Sequence, residues 1–137
     1  MDPDAQVNFL LEKDTTAGFF LTQVVSHHDR AAVEQFLAVA RRRQLSLPDV
    51  LGMFFYRSTS IETLKFLARF LSVPPTKLTA EFEVGFNAVQ ICARSIAILK
   101  QLGVNNVYVS NLPVCTAAPI LRVILFEAAQ STGRMLL

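Results

Sequence analysis

Three short apolar runs punctuate the chain: Phe19-Phe20-Leu21-Thr22-Gln23, Val50-Leu51-Gly52-Met53-Phe54-Phe55 and Val107-Tyr108-Val109-Ser110-Asn111. Runs this short, bounded by turn residues, read as strands, and near-continuous apolar character is expected where both faces of a strand are covered. The stretches around them change period. Val33, Phe36, Leu37 and Ala40 follow the first run at helical spacing, Ile61, Leu64, Leu67, Ala68 and Leu71 follow the second, and Val89, Cys92, Ile96 and Leu99 precede the third. Strands alternating with helices predict a parallel sheet, because each parallel return needs a crossover that a helix supplies.

The punctuation residues place the boundaries. Asp2 and Pro3 open a helix from about Asp4 to Lys13, with Val7, Leu10 and Leu11 on one face. Ser26 and Asp29 start the second helix, which ends near Arg43, and Pro48 opens the second strand, where Gly52 permits a close approach by another group. Thr59 and Glu62 form a capping box for the next helix, and Pro74-Pro75 stops it. One helix is then predicted from about Glu83 to Gln101, closed by Gly103, with Asn105-Asn106 turning the chain into the last strand. Thr116 caps a final helix through Ala129 and tolerates Pro119 in its first turn. Its Ile120, Leu121, Val123, Ile124, Leu125 and Phe126 are apolar nearly all round, which predicts burial on more than one side.

The result is an α/β fold in a single domain over residues 1–137, with three parallel strands and two open edges. A closed eight-stranded barrel takes about 250 residues. The expectation is a sheet completed by further strands, from another chain, a missing half or a second copy. In parallel sheets ligands meet the carboxyl ends of the strands, which makes Gln23, Tyr56 and Asn111 candidate binding residues. Arg57, beside Tyr56, is placed to pair with a carboxylate.

Composition narrows the partners. Hydrophobic residues make up 52% and charged residues 18% of the chain, and mean hydropathy is +0.39, so there is more apolar surface than an ordinary monomer needs. A formal charge of +2 is too small to imply a nucleic-acid or membrane surface, and Arg41-Arg42-Arg43 closes a helix. Cys92 and Cys115 show no metal or disulfide spacing and are expected to be buried, inert thiols. The start of the chain lacks signal-peptide character, and no apolar run approaches the roughly 20 residues that span a bilayer, so a cytoplasmic location is expected. No Gly-rich phosphate loop, Gly-x-Ser-x-Gly elbow or His-Glu-x-x-His pair is present, and no metal is expected. His27 and His28 adjoin the end of the first strand, where a general acid or base can act near neutral pH; the prevailing expectation is a solvated helix entry.

A family resemblance adds to this. Phe9-Leu10-Leu11-Glu12-Lys13, Ala17-Gly18, Phe19 to Gln23, Leu47-Pro48-Asp49-Val50-Leu51-Gly52-Met53, Leu64-Lys65-Phe66-Leu67-Ala68 and Leu102-Gly103-Val104 leading into Val107-Tyr108-Val109 follow one another in register. Across roughly residues 5 to 130 this succession resembles the C-terminal half of methylenetetrahydrofolate reductase. The resemblance implies a partial (β/α)8 TIM-type barrel acting in one-carbon metabolism and methionine biosynthesis. In the family a flavin takes hydride from a reduced nicotinamide and passes it to methylenetetrahydrofolate. NAD(P)H and FAD are the implied cofactors and a folate the implied substrate.

The family's strand motif ends Thr-Gln, so the resemblance implies Thr22 toward the cofactor and Gln23 on the folate, with Tyr56, Arg57 and Asn111 completing the substrate set. An amide at a strand end suits a pterin edge, which presents donors and acceptors together. The chain departs from the family at Phe55, where a proline is usual, at Ile61 and Thr63, where an aromatic and a glutamine stand, and at Ser110 to Val114, which lacks the family's arginine. The family's catalytic acid and most flavin contacts belong to the N-terminal half, so the catalytic residue is unassigned. The alternative is a non-catalytic remnant or protein-interaction module built on the same barrel.

Overall fold

Parallel pairing needs strands of matched length with helices between them, and the computed structural model of the chain has this arrangement. It describes residues 2–13, 16–57 and 59–136, with side chains through residue 131. The order is α1 (Pro3–Lys13), β1 (Phe20–Val24), α2 (Arg30–Arg42), β2 (Asp49–Phe54), α3 (Ile61–Leu67), α4 (Pro75–Glu83), α5 (Ala88–Gln101), β3 (Val107–Ser110) and α6 (Ala117–Leu136). The described strands form one parallel sheet in the order β1-β2-β3.

The register divides the sheet into two unlike faces. Leu51 pairs with Val107 and Met53 with Val109. That face is buried with Val33 and Leu37 of α2, Cys92, Ile96 and Leu99 of α5, and Ile124 and Ala128 of α6. The opposite face pairs Leu21 with Val50, Gly52 with Tyr108 and Phe54 with Ser110. There Leu21 is exposed, and Val50, Phe54, Tyr108 and Ser110 are only half-buried. A second core cluster, with Tyr56, Leu64, Val73, Leu78 and Ile91, sits under α3 and α4.

Gly52 meets the sequence expectation of a close approach. A Cβ at this position would lie 2.5 Å from the Tyr108 ring carbon Cζ and hydroxyl. The ring passes over Gly52 so that Tyr108 Oη donates to the Thr22 carbonyl at 2.7 Å, tying β3 to β1 across β2. Between Leu21 and Val24 the β1–β2 register shifts, and the Thr22 hydroxyl accepts the Gly52 N–H at 3.1 Å. A side chain thus supplies a bond that the irregular ladder leaves open.

Several helix ends follow the sequence signals. Ser26 and Asp29 form a reciprocal capping box around a 3₁₀ turn, His27–Asp29, that leads into α2. Gly103 closes α5 at a φ of +94°. The start of α5, expected near Glu83, is instead capped by Asn87 and Gln90 with bonds of 2.8 and 2.9 Å.

Other expectations are corrected. The single helix predicted over 83–101 begins only at Ala88, and α4 precedes it; the two are bent by 118° about a break containing Gly85 at a φ of +104°. Pro75 does not merely stop the previous helix. It opens α4, where a missing N–H costs no helical bond. Ser60, not Thr59, caps α3, which ends at Leu67, so Leu64 alone of its predicted stripe is fully buried.

Phe19 and Leu21 are 56% and 59% exposed, because β1 is an edge strand whose outer face is uncovered. Cys115 is exposed, whereas Cys92 is buried and its thiol is pushed up to about 12 by burial. The last helix buries Ile124 and Ala128 on one side and leaves Val123, Leu125 and Phe126 half-exposed or more. The stretch Val114–Ser131, most of it α6, has a mean hydropathy of 1.3 and is the one described helix long and apolar enough by length and composition to cross a membrane.

Candidate functional site

Parallel strands aim their carboxyl ends at one edge of the sheet, and two polar groupings stand on that edge. The first follows β2 and β3. Asn111 takes a left-handed φ of 69°, a conformation that a short amide tolerates. From there its Nδ2 donates to the Phe55 carbonyl at 3.0 Å, and its Oδ1 accepts from Arg57 Nη2 at 3.1 Å.

Arg57, Asn111 and Tyr56 line a cavity of about 270 Å³ together with Thr63 and the apolar Phe54, Leu64 and Leu67. Tyr56 is buried, with its ring 5.0 Å from that of Phe54. Burial, assisted by the Asp29 carboxylate, pushes its phenol up to about 12, so the hydroxyl keeps its proton. Apolar walls with a few convergent polar groups are the usual make-up of a small-molecule site. A smaller cavity of about 150 Å³ lies at the amino ends, beside Phe20, Asp49 and Arg41, away from these groups.

The cavity unites Tyr56, Arg57 and Asn111 but not the other candidates. Gln23 is exposed on the edge strand and does not line it, so the expected buried amide is not found. The register shift after Leu21 breaks the strand's alternation just where Gln23 sits. The Thr22 hydroxyl is occupied by the ladder. Thr63 also reaches the cavity.

The second grouping follows β1, and it reverses the expectation of solvated histidines. The His27 and His28 side chains are 6% and 16% exposed. The capping box at Ser26 sets both residues in a tight turn, and their rings lie 4.1 Å apart facing one carboxylate, Glu81 of α4. His27 Nε2 is 2.9 Å from Glu81 Oε2, and His28 Nε2 is 2.5 Å from Oε1. On the other side of the His27 ring, Nδ1 is 2.8 Å from Ser95 Oγ of α5, and that oxygen also accepts the His27 backbone N–H at 3.2 Å. Arg94 Nη1 stands 3.6 Å from Glu81 Oε2.

Desolvation is the largest influence on His27 and holds its pKa below the ordinary value; Glu81 opposes this and His28 adds to it. The imidazole is thereby kept neutral, the form in which it can act as a base or a ligand. The order Ser95, His27, Glu81 looks like a nucleophilic array, but Ser95 is 4% exposed within α5, and its oxygen is committed to the turn. Ser95 therefore positions His27. Sequence reasoning missed Glu81 and Ser95. The available signal was a carboxylate three residues after Leu78 on an otherwise apolar face of α4.

No family model matches the chain, and no curated protein or solved structure does either.

Proposed function

We propose that this chain forms the C-terminal half of a (β/α)8 barrel of the methylenetetrahydrofolate reductase type, whose carboxyl-end cavity holds the folate. The reaction is reduction of methylenetetrahydrofolate to methyltetrahydrofolate by NAD(P)H through FAD, once further strands close the barrel. The observation that carries the reading is the convergence of Tyr56, Arg57 and Asn111 on one cavity at the strand ends. Arg57 supplies a partner for the folate's carboxylate tail, Asn111 a fixed amide, and Tyr56 a protonated donor against an apolar wall.

The one-sided sheet supports the same reading. Helices of a barrel cover the outer face of the strands and leave the inner face to be filled by closure, whereas an open doubly wound sheet has helices on both faces. Here Leu51 and Met53 are sealed under α2, α5 and α6, while Leu21, Val50, Tyr108 and Ser110 are left exposed or half-buried and Phe54, at the carboxyl end, packs toward α3. Gln23 then meets its pterin only when the barrel closes. A cytoplasmic location fits this chemistry.

The second reading is an interaction module without catalysis, favoured by the exposed Val123, Leu125 and Phe126 of α6. A thermal-shift titration with 5-methyltetrahydrofolate, run beside light scattering, separates the two. The folate reading expects a concentration-dependent rise in Tm, since a ligand that binds only the folded state stabilises it by mass action. A stable oligomer with no shift at saturating folate would leave the interaction module standing instead.

A further inference from the structure

We propose that His27, His28 and Glu81 form a zinc site of the two-histidine, one-carboxylate kind, separate from the folate cavity and independent of it. One donor atom from each residue lies within 4.8 Å of the others. Donors around a tetrahedral zinc, with ligand distances of about 2.0–2.1 Å, stand about 3.3 Å apart. Glu81 Oε1 now lies 3.0 Å from His27 Nε2 and 2.5 Å from His28 Nε2, so it needs to draw back from the rings by about 0.3 and 0.8 Å, within the reach of side-chain rotation. Three protein ligands of this type leave a fourth position for water, and the partly exposed His28 ring marks the side from which solvent enters.

The surroundings are those of a metal ligand set. A metal-ligating imidazole commonly donates its remote N–H to an oxygen that fixes its orientation. His27 Nδ1 has such a partner in Ser95 Oγ at 2.8 Å. The Ser95 oxygen has two lone pairs and can accept from the His27 Nδ1–H and its backbone N–H together. In the metal-free arrangement that satisfies these contacts with neutral rings, Nε2 of each ring would donate to Glu81 and Ser95 would donate its hydroxyl proton to His27 Nδ1. Zinc replaces the two Nε2 protons as the group shared with Glu81, and each proton moves to the Nδ1 of its own ring. The imidazoles stay neutral and no net proton is released.

Charge favours the exchange. The buried carboxylate of Glu81 faces two imidazoles, and the cation beside it among the described residues, Arg94, is 46% exposed and stands 3.6 Å away. A divalent ion places its charge where the carboxylate has least compensation. Zinc suits the mixed nitrogen and oxygen donors better than magnesium or calcium, which take mainly oxygen. The ion would clip the turn after β1 to α4, two segments 53 residues apart.

The test is a titration of the untagged full chain with zinc chloride against a chromophoric chelator, paired with cobalt chloride absorption to read the geometry. The expected result is one equivalent bound, with a cobalt spectrum of tetrahedral type and a rise in Tm. His28→Asn and Glu81→Gln should weaken binding at least 100-fold, and Ser95→Ala about 10- to 100-fold, as for other outer-shell partners. Cys115→Ser, which removes the exposed thiol, should change nothing. Circular dichroism checks folding; if Glu81→Gln unfolds, His28→Asn, at the partly exposed ligand, carries the decision. Absence of stoichiometric zinc, affinity unchanged in folded His28→Asn, or binding lost in Cys115→Ser overturns the site.

Discussion

Two polar groupings share the carboxyl edge of one sheet, yet they are built in opposite ways. Tyr56, Arg57 and Asn111 lie just past the ends of neighbouring paired strands and open onto a cavity, with Arg57 exposed. His27, His28, Glu81 and Ser95 come from a turn and two helices, face inward, and bond to one another. In the first, Arg57 can change with little effect on the fold, whereas Tyr56 is also part of the core cluster under α3 and α4. The second holds α4 and α5 against the turn after β1, so its residues serve stability and chemistry together.

Removing Glu81 should widen that contrast most. Glu81→Ala leaves two buried imidazoles without their shared acceptor, and a loss of about 3 kcal/mol in urea unfolding is expected. Stability equal to the native chain would mean that the cluster is not a structural joint. Gly52→Ala comes next. Its new methyl group collides with the Tyr108 ring, which cannot move without releasing Thr22. A cost of about 2 kcal/mol is expected, as for other overpacked sites. Pairing it with Tyr108→Ala should cost less than the two changes summed; simple additivity would refute the contact.

Tyr56→Phe sharpens the comparison through pH. A free phenol ionises near 10, but the buried one is pushed up to about 12. Between those values the unfolded chain has given up the proton that the folded chain retains, so this residue's contribution is fully present below pH 10 and falls as pH rises toward 12. Cys92 acts in the same direction from about 9 to about 12. Denaturation midpoints measured across this range should fall less steeply in Tyr56→Phe than in the native chain. An identical slope would place the phenol in water. The smallest stability effect is expected for Arg57→Ala, within about 0.5 kcal/mol, because the guanidinium is exposed.

The same contrast explains what the sequence discloses. The parallel strands, the close approach at Gly52 and the placing of Tyr56, Arg57 and Asn111 just beyond β2 and β3 were legible, because apolar runs, turn residues and strand ends are local signals. The histidine cluster was not. Its carboxylate lies 53 and 54 residues from its partners, on a helix concealed behind Pro74-Pro75. Edge exposure was equally hidden: Phe19 and Leu21 have the composition of buried residues, and only the strand's place in the sheet uncovers them. On α6, continuous apolar character overstated the buried face, because a helix at the margin packs on one side only.

The folate reading rests on the open grouping and not on the closed one, and isothermal titration with 5-methyltetrahydrofolate tests that division most directly. The native chain and His28→Asn should bind with equal affinity, while Arg57→Ala should bind about tenfold or more weakly, the loss expected for a charged hydrogen bond to a carboxylate. Equal affinity in Arg57→Ala, or no folate binding by the native chain, would contradict the account.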